Sequence, residues 1–299
     1  MCPFPLDSFT YGVELEFADV DRTAFISPAL GTWNTKDYSL VNSNGLANDP
    51  LGILIKQGGE VNVMWSSDLY EVLNRCMTLY RDLKPTINYR CNLHIHVGVP
   101  GLKQDLAALK QFQVYINQWQ SFAFNFIEKV PRPEAKDYPT QYEMDGAIWR
   151  YQRRFRSHQW KLPISTHQRL MTAESPEAFL NAHAPIDKNG NLQWQFFRRA
   201  GINLRQLMET NTVEFRHFPG AHNELELRSA LEWCKEFTDA ALNTGAKPAE
   251  FIACHQDWHF PAFEPYVHVL EEGWKRTNFE HHNRHEVEAY LRSQGLLHA

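Results

Sequence analysis

Four short segments of the chain carry Glu, His, Asn or Arg at every second position. Tyr11 to Ala18 holds Glu14 and Glu16, and Gly59 to Trp65 holds Glu60 and Asn62. Arg90 to Val99 holds Asn92, His94 and His96, and Thr212 to Phe218 holds Thr212, Glu214 and Arg216. A spacing of two is the side-chain period of a β-strand, so each polar set shares one face. The opposite faces read Val13, Leu15, Phe17; Val61, Val63, Trp65; Leu93, Ile95, Val97; and Val213, Phe215. Those are residues suited to a core. If the strands are neighbours, four carboxylates crowd one surface, with Arg216 as the formal counter-charge. Like charges that close repel or raise each other's pKa. Bound divalent cations resolve the conflict, and oxygen-rich sites with one or two histidines suit Mg²⁺ or Mn²⁺ better than Zn²⁺. A merely solvated face usually carries lysine and mixed charge; these polar sets contain no lysine.

Other chemistries fit less well. Cys91 and His94 are three apart, so on a straight strand they face opposite sides and form no nucleophilic dyad. No GxxxxGK[ST] run is present, which excludes a P-loop. The five cysteines are widely spaced and never in a CxxC pair, which fits neither a disulfide framework nor a thiolate zinc cluster. They read as free thiols in a reducing cytoplasm. Arg150, Arg153, Arg154 and Arg156 form a basic, aromatic run, either a solvated helix face or an insert that binds phosphates or a carboxylate. His281, His282 and His285 read as a solvated cluster, lacking a cysteine or spaced partner.

The elements that must position these residues alternate along the chain. A fifth strand is expected at Tyr38 to Asn42. Helical periodicity places Leu69, Leu73, Met77 and Tyr80 on one face of Ser66 to Leu83, capped by Ser66 or Ser67. Leu102 to Val130 carries a long stripe of Leu106, Leu109, Phe112, Ile116, Trp119, Ala123 and Phe126. Asn223 to Asn243 carries Leu227, Leu231, Cys234 and Ala241. A helix is also expected from about Arg284. Early strands, intervening helices and a late strand predict one α+β domain with a mainly antiparallel sheet.

Composition sets the outer bounds. The 299 residues, 43% hydrophobic and 22% charged, are ordinary for a globular chain and exclude disorder throughout. Nine tryptophans and a 13% aromatic share predict an aromatic-rich core. No apolar run approaches the roughly 20 residues that span a bilayer, and no signal peptide opens the chain. A net charge of -5 argues against non-specific nucleic-acid binding.

YGVELEF (Tyr11 to Phe17), CNLHIHVGV (Cys91 to Val99) and TVEFRHFPG (Thr212 to Gly220) together resemble the signature strands of the amidoligases. That family belongs to the larger group of glutamine synthetase and glutamate–cysteine ligase. The resemblance covers residues 10–100 and about 197–245. It implies a glutamine synthetase-like curved antiparallel sheet with packed helices, whose polar face holds ATP and two or more Mg²⁺ ions. It implies that Glu14, His94 and Glu214 hold one metal, and that Glu16 holds another with Glu60. Arg216 would contact the transferring phosphoryl group, and His96 would face the acceptor substrate. RRAGIN supplies Arg198 or Arg199, and Asn203, as further ATP contacts. Asn92 stands where the family usually has glycine. On this reading, residues 1–299 form a single catalytic domain with an insert near 131–198 and a C-terminal extension near 250–299.

The implied reaction is ATP-dependent condensation of a carboxylate with an amine, on a small molecule, a peptide or a protein side chain, through an acyl phosphate. Two alternatives are a metal-dependent hydrolase using the same Glu/His face and a non-catalytic binding protein. Glu-x-Arg favours the ligase, because hydrolytic metals do not require that arginine.

Overall fold

A computed structural model of the chain describes residues 4–34, 57–87, 91–127, 164–183, 201–259, 289–290 and 292–295. Among them is one six-stranded sheet: β1 (Thr10–Ala18), β2 (Gly31–Trp33), β3 (Gly58–Ser66), β4 (Asn92–Gly98), β5 (Ile202–Asn203) and β6 (Thr212–Pro219). Its order is β2-β3-β1-β4-β6-β5, and every described pairing is antiparallel. The helices are α1 (Leu69–Leu83), α2 (Leu106–Ile127), α3 (Ile164–Thr172), α4 (Pro176–Ala182), α5 (Gln206–Thr210), α6 (Glu224–Asp239) and α7 (Pro248–Cys254). The mixed helix and sheet architecture expected from the sequence is present.

Alternation sorts the sheet into two faces. Val13, Leu15, Phe17, Val61, Leu93, Ile95, Val97, Val213 and Phe215 are all nearly inaccessible and join one core. α1 and α6 cover this face. α6 supplies Leu227, Leu231, Trp233, Cys234 and Phe237, with Trp233 stacked on Phe237 at 4.7 Å between ring centroids. Each of these large side chains contributes about 2–3 kcal/mol by leaving water. Phe17 meets the edge of Tyr80 from α1 at 5.1 Å. The α1 stripe is broader than the expected Leu69–Leu73–Met77–Tyr80 row, because Val72, Cys76 and Leu79 are also buried.

Helix ends are set by side chains. Asp68, rather than Ser66 or Ser67, caps α1 by accepting from Tyr70 N at 2.9 Å. Ser66 is still in β3. Asn223 caps α6 by accepting from Glu226 N, and the Glu226 carboxylate accepts in turn from His222 N at 2.6 Å. α2 begins at Leu106 instead of Leu102. Asp105 is extended and accepts from Ala108 N, so Leu102–Gln104 forms a separate 3-10 turn. α6 ends in a wide π-turn, Ala240–Thr244, where Gln111 of α2 donates to Ala241 O.

Two β-bulges break the sheet's regularity. Tyr11 pairs with Ser66 and Val13 with Val63, so Gly12 faces both Met64 and Trp65. Leu93 pairs with Phe218 and Ile95 with Phe215, so His94 faces both Arg216 and His217. The first bulge overturns one expectation. Trp65 is 63% exposed and does not join Val61 and Val63 in the core, because the extra residue reverses the alternation at that point. The segment expected as a strand at Tyr38 to Asn42, the basic run Arg150 to Arg156 and His281, His282 and His285 lie outside the described residues, and the described tail residues 289, 290, 292 and 293 are helical.

Candidate functional site

The polar face of the sheet collects the expected residues. β1 and β4 place Glu14 beside His94 and Gly12 beside His96. β6 places Glu214 beside His96, β5 places Asn203 beside Glu214, and β3 places Glu60 beside Glu16. Glu16, Glu60, His94, His96, Asn203 and Glu214 are buried, which is unusual for so many polar groups in one patch.

Glu14 is the hub. Its Oε2 lies 2.8 Å from His94 Nδ1, and its Oε1 lies 3.2 Å from His96 Nε2. Burial raises the Glu14 carboxyl, but the contacts with His94 and His96 outweigh it and hold the group well below the usual carboxylate range. Burial and Arg216 act to lower His94, yet Glu14 prevails and its pKa is raised. Glu60 goes the other way. Burial first, then the charge of Glu14, push it up to about 7, against a hydrogen bond donated by Asn34 Nδ2 at 2.5 Å.

The outer partners orient this set. His96 Nδ1 is 2.8 Å from Thr212 Oγ1, which turns Nε2 toward Glu14 and Glu214. Asn203 Nδ2 donates to Glu214 Oε2 at 2.8 Å, and Arg216 Nη1 donates to Glu214 Oε1. Burial opposes the Arg216 charge, but Glu214 and then Glu14 hold the guanidinium protonated more firmly than usual. Glu16 Oε2 accepts from both the backbone N and the side-chain Nδ2 of Asn92, each at 2.7 Å.

These donors fit divalent cations. Ligands of one metal lie a few ångströms apart. Two triads meet that requirement, with all donor atoms within 4.8 Å of one another: Glu14, Glu60 and His94; and Glu14, His96 and Glu214. The buried His96 Nε2 faces carboxylate oxygens on both sides, Glu14 Oε1 at 3.2 Å and Glu214 Oε1 at 3.9 Å, an arrangement that a cation between them would suit. The triads are grouped differently from the resemblance, which joins His94 with Glu214. The register explains the difference. Glu214 lies directly across from His96, and the second bulge stands across from His94. Glu16 belongs to neither triad. Arg198 and Arg199 lie outside the described residues.

Beside Glu14 and His96 opens a cavity of about 610 Å³, bounded by Gly12, Trp65, Lys103 and Thr212 among others. Trp65 lines it although strand parity assigns it to the core, and Asn34, which donates to Glu60, carries no motif of its own. Asn34 follows a three-residue edge strand too short to show a pattern.

No family model and no curated protein matches the chain. Among solved structures it is similar to a bifunctional glutathione synthetase from Pasteurella multocida, at 9% identity and a TM-score of 0.38, over 97% of this chain and 50% of that one. The chain thus spans half the length of that structure, and a likeness so distant does not bear on function. Among the described residues, no helix is long and apolar enough to cross a membrane.

Proposed function

We propose that this chain is an ATP-dependent carboxylate–amine ligase of the amidoligase type, forming an amide or isopeptide bond through an acyl phosphate. The observation that carries the reading is the convergence of Glu14, Glu60, His94, His96 and Glu214 on one sheet face, with Arg216 bonded to Glu214. Glu14, Glu60 and His94 would hold one Mg²⁺ or Mn²⁺, and Glu14, His96 and Glu214 another. Glu16, directly across from Glu60, would add a further carboxylate to the first cation. When bound, the cations neutralise phosphate charge and draw electron density from the γ-phosphorus.

The chain's own groups do the rest. Arg216 is charged throughout the working pH range and lies at the edge of the triad, where its guanidinium can stabilise charge that develops on the transferring phosphoryl. Asn203 and Thr212 fix the rotamers of Glu214 and His96. A carboxylate attacks the γ-phosphoryl, and ADP leaves. The amine then attacks the acyl carbon, loses a proton and expels phosphate. The single domain, with an insert near 131–198 and a C-terminal extension near 250–299, is part of the same proposal, as is the absence of a nucleic-acid or membrane partner. Arg199, like Arg198, would add a further phosphate contact.

A panel of carboxylates incubated with Mg-ATP and hydroxylamine tests the reading. ADP and a hydroxamate are expected with the right acid. Release of AMP and pyrophosphate would refute the acyl-phosphate route. Divalent-dependent hydrolysis without nucleotide would favour the hydrolase.

A further inference from the structure

The bulge at Met64 and Trp65 is held from outside the sheet. In a regular ladder, adjacent carbonyls of one strand point to opposite neighbours. Here a single guanidinium nitrogen takes both: Arg75 Nη1 on α1 donates to Met64 O and to Trp65 O, each at 2.9 Å. Arg75 is fixed in turn by Glu71, at 2.6 Å between Nη2 and Oε1. The other Glu71 oxygen accepts from Ser66 Oγ, the residue after the bulge. Helix and strand are thereby joined through one ion pair, and the alternation of β3 is reversed where they meet.

The consequence falls on Trp65. Its Cβ lies 3.8 Å from the point where a Gly12 side chain would begin, and His96 Cβ lies 3.6 Å from that point. The indole and the inner histidine therefore flank a bare strip of β1. At 63% exposure, the Trp65 side chain is far more open than the buried tryptophan of α6. It borders the cavity that starts at Glu14 and His96 and carries Lys103 on its wall. No ion pair of Lys103 is found among the described residues. A flat apolar ring one strip away from a phosphate-binding set matches a ligand with a planar base at one end and a polyphosphate at the other. Stacking on an aromatic ring recognises any base through its π-face.

We infer that Trp65 is the stacking platform for the base of the nucleotide, and that Arg75, through the clamp with Glu71, is the positioning residue that keeps the bulge and so presents the indole. The inference rests on the ligase reading, which supplies the nucleotide. Its parts are separable because the base and the phosphates can be offered apart.

Calorimetry with Mg-ATP and with Mg-tripolyphosphate, on the full chain, tests it. Trp65→Ala should weaken Mg-ATP binding about tenfold and leave Mg-tripolyphosphate unchanged. Trp65→Phe should restore most of the loss. Arg75→Gln should also weaken Mg-ATP selectively, and Arg75→Lys should recover only part, since a lysine point charge does not reproduce the fork. Equal Mg-ATP affinity in wild type and Trp65→Ala overturns the platform. Equal loss of both probes in Arg75→Gln overturns its role as a positioning residue. If wild type binds neither probe, the ligase reading fails and the platform falls with it; binding of tripolyphosphate as tightly as ATP sinks the platform alone.

Discussion

The Glu14 carboxylate is held between two histidines of a single strand, with Oε2 2.8 Å from His94 Nδ1 and Oε1 3.2 Å from His96 Nε2. One residue therefore belongs to both donor triads, and neither triad is complete without it. Glu14→Gln keeps the shape and removes the charge. Mg-ATP affinity should fall by at least about 100-fold, the upper end of what losing a mere outer partner of a metal ligand costs. Thermal melting should show a folded protein. Calorimetry giving wild-type affinity in that folded variant would remove Glu14 from the site.

Glu60 provides a pH test. Its folded pKa is about 7 against an ordinary 4.5. Between these values the folded metal-free chain keeps a proton that the unfolded chain has released. The Glu60 contribution to stability therefore falls as pH rises through that window, by up to about 1.4 kcal/mol per pH unit. His94, also raised, adds a decline above its ordinary range, so the comparison must be with Glu60→Gln. Urea melts between pH 4.5 and 7 should show a shallower decline in that variant, and saturating Mg²⁺ should flatten the wild-type curve. Parallel wild-type and variant curves would contradict the assignment.

Asn92 is expected to act through Glu16. It directs two N–H groups at one carboxylate oxygen. A hydrogen bond to a charged group contributes about 1.5–3 kcal/mol. Asn92→Ala keeps the backbone donor and loses the amide, so Glu16 should become less well fixed. The concentration of Mg²⁺ for half-maximal activity should rise about tenfold, with kcat at saturating metal nearly unchanged. A drop in kcat with no change in metal dependence would place Asn92 elsewhere in the mechanism.

Arg216 separates the ligase from the hydrolase. It is already bonded to Glu214, so Arg216→Lys retains a positive charge near the triad but loses the planar fork. Ligase kcat should fall at least about tenfold, or about 1.4 kcal/mol, with a smaller effect on metal affinity. Full turnover in the lysine variant would exclude a role on the phosphoryl group.

The strands that carry the site were legible because period-two alternation is strong when one face is β-branched and the other is acidic. Glu14, Glu16, His94, His96 and Glu214 could thus be placed on one face before any pairing was known. What each side chain meets was not legible. Cross-strand register decides that Glu214 lies opposite His96, and register is a property of two strands, not one. Parity assigns Trp65 to the core because nothing in VNVMWSS marks an extra residue; the bulged strand has neither glycine nor proline at that point. β2 and β5 have three and two residues, below the length at which periodicity exists. The α1 cap was ambiguous for a chemical reason: Ser66, Ser67 and Asp68 are adjacent and all can accept a hydrogen bond from the first turn.

The division of the sheet into an apolar face and a charged one has a consequence for how such a protein changes over generations. Glu60 contributes nothing to the core, and burial and the neighbouring Glu14 charge disfavour its ionised form when no cation is bound. Replacing Glu60 by a neutral residue should therefore leave the chain folded and, in metal-poor surroundings, make it firmer, whereas losing Glu214 alone would strand the Arg216 guanidinium and the Asn203 amide. A lineage that lost its substrate could shed Glu60 first, and Glu214 only together with Arg216, without ever passing through an unfolded ancestor. The bare strip at Gly12 and the open indole of Trp65 would outlast the chemistry, so descendants of this fold are free to drift toward binding without turnover.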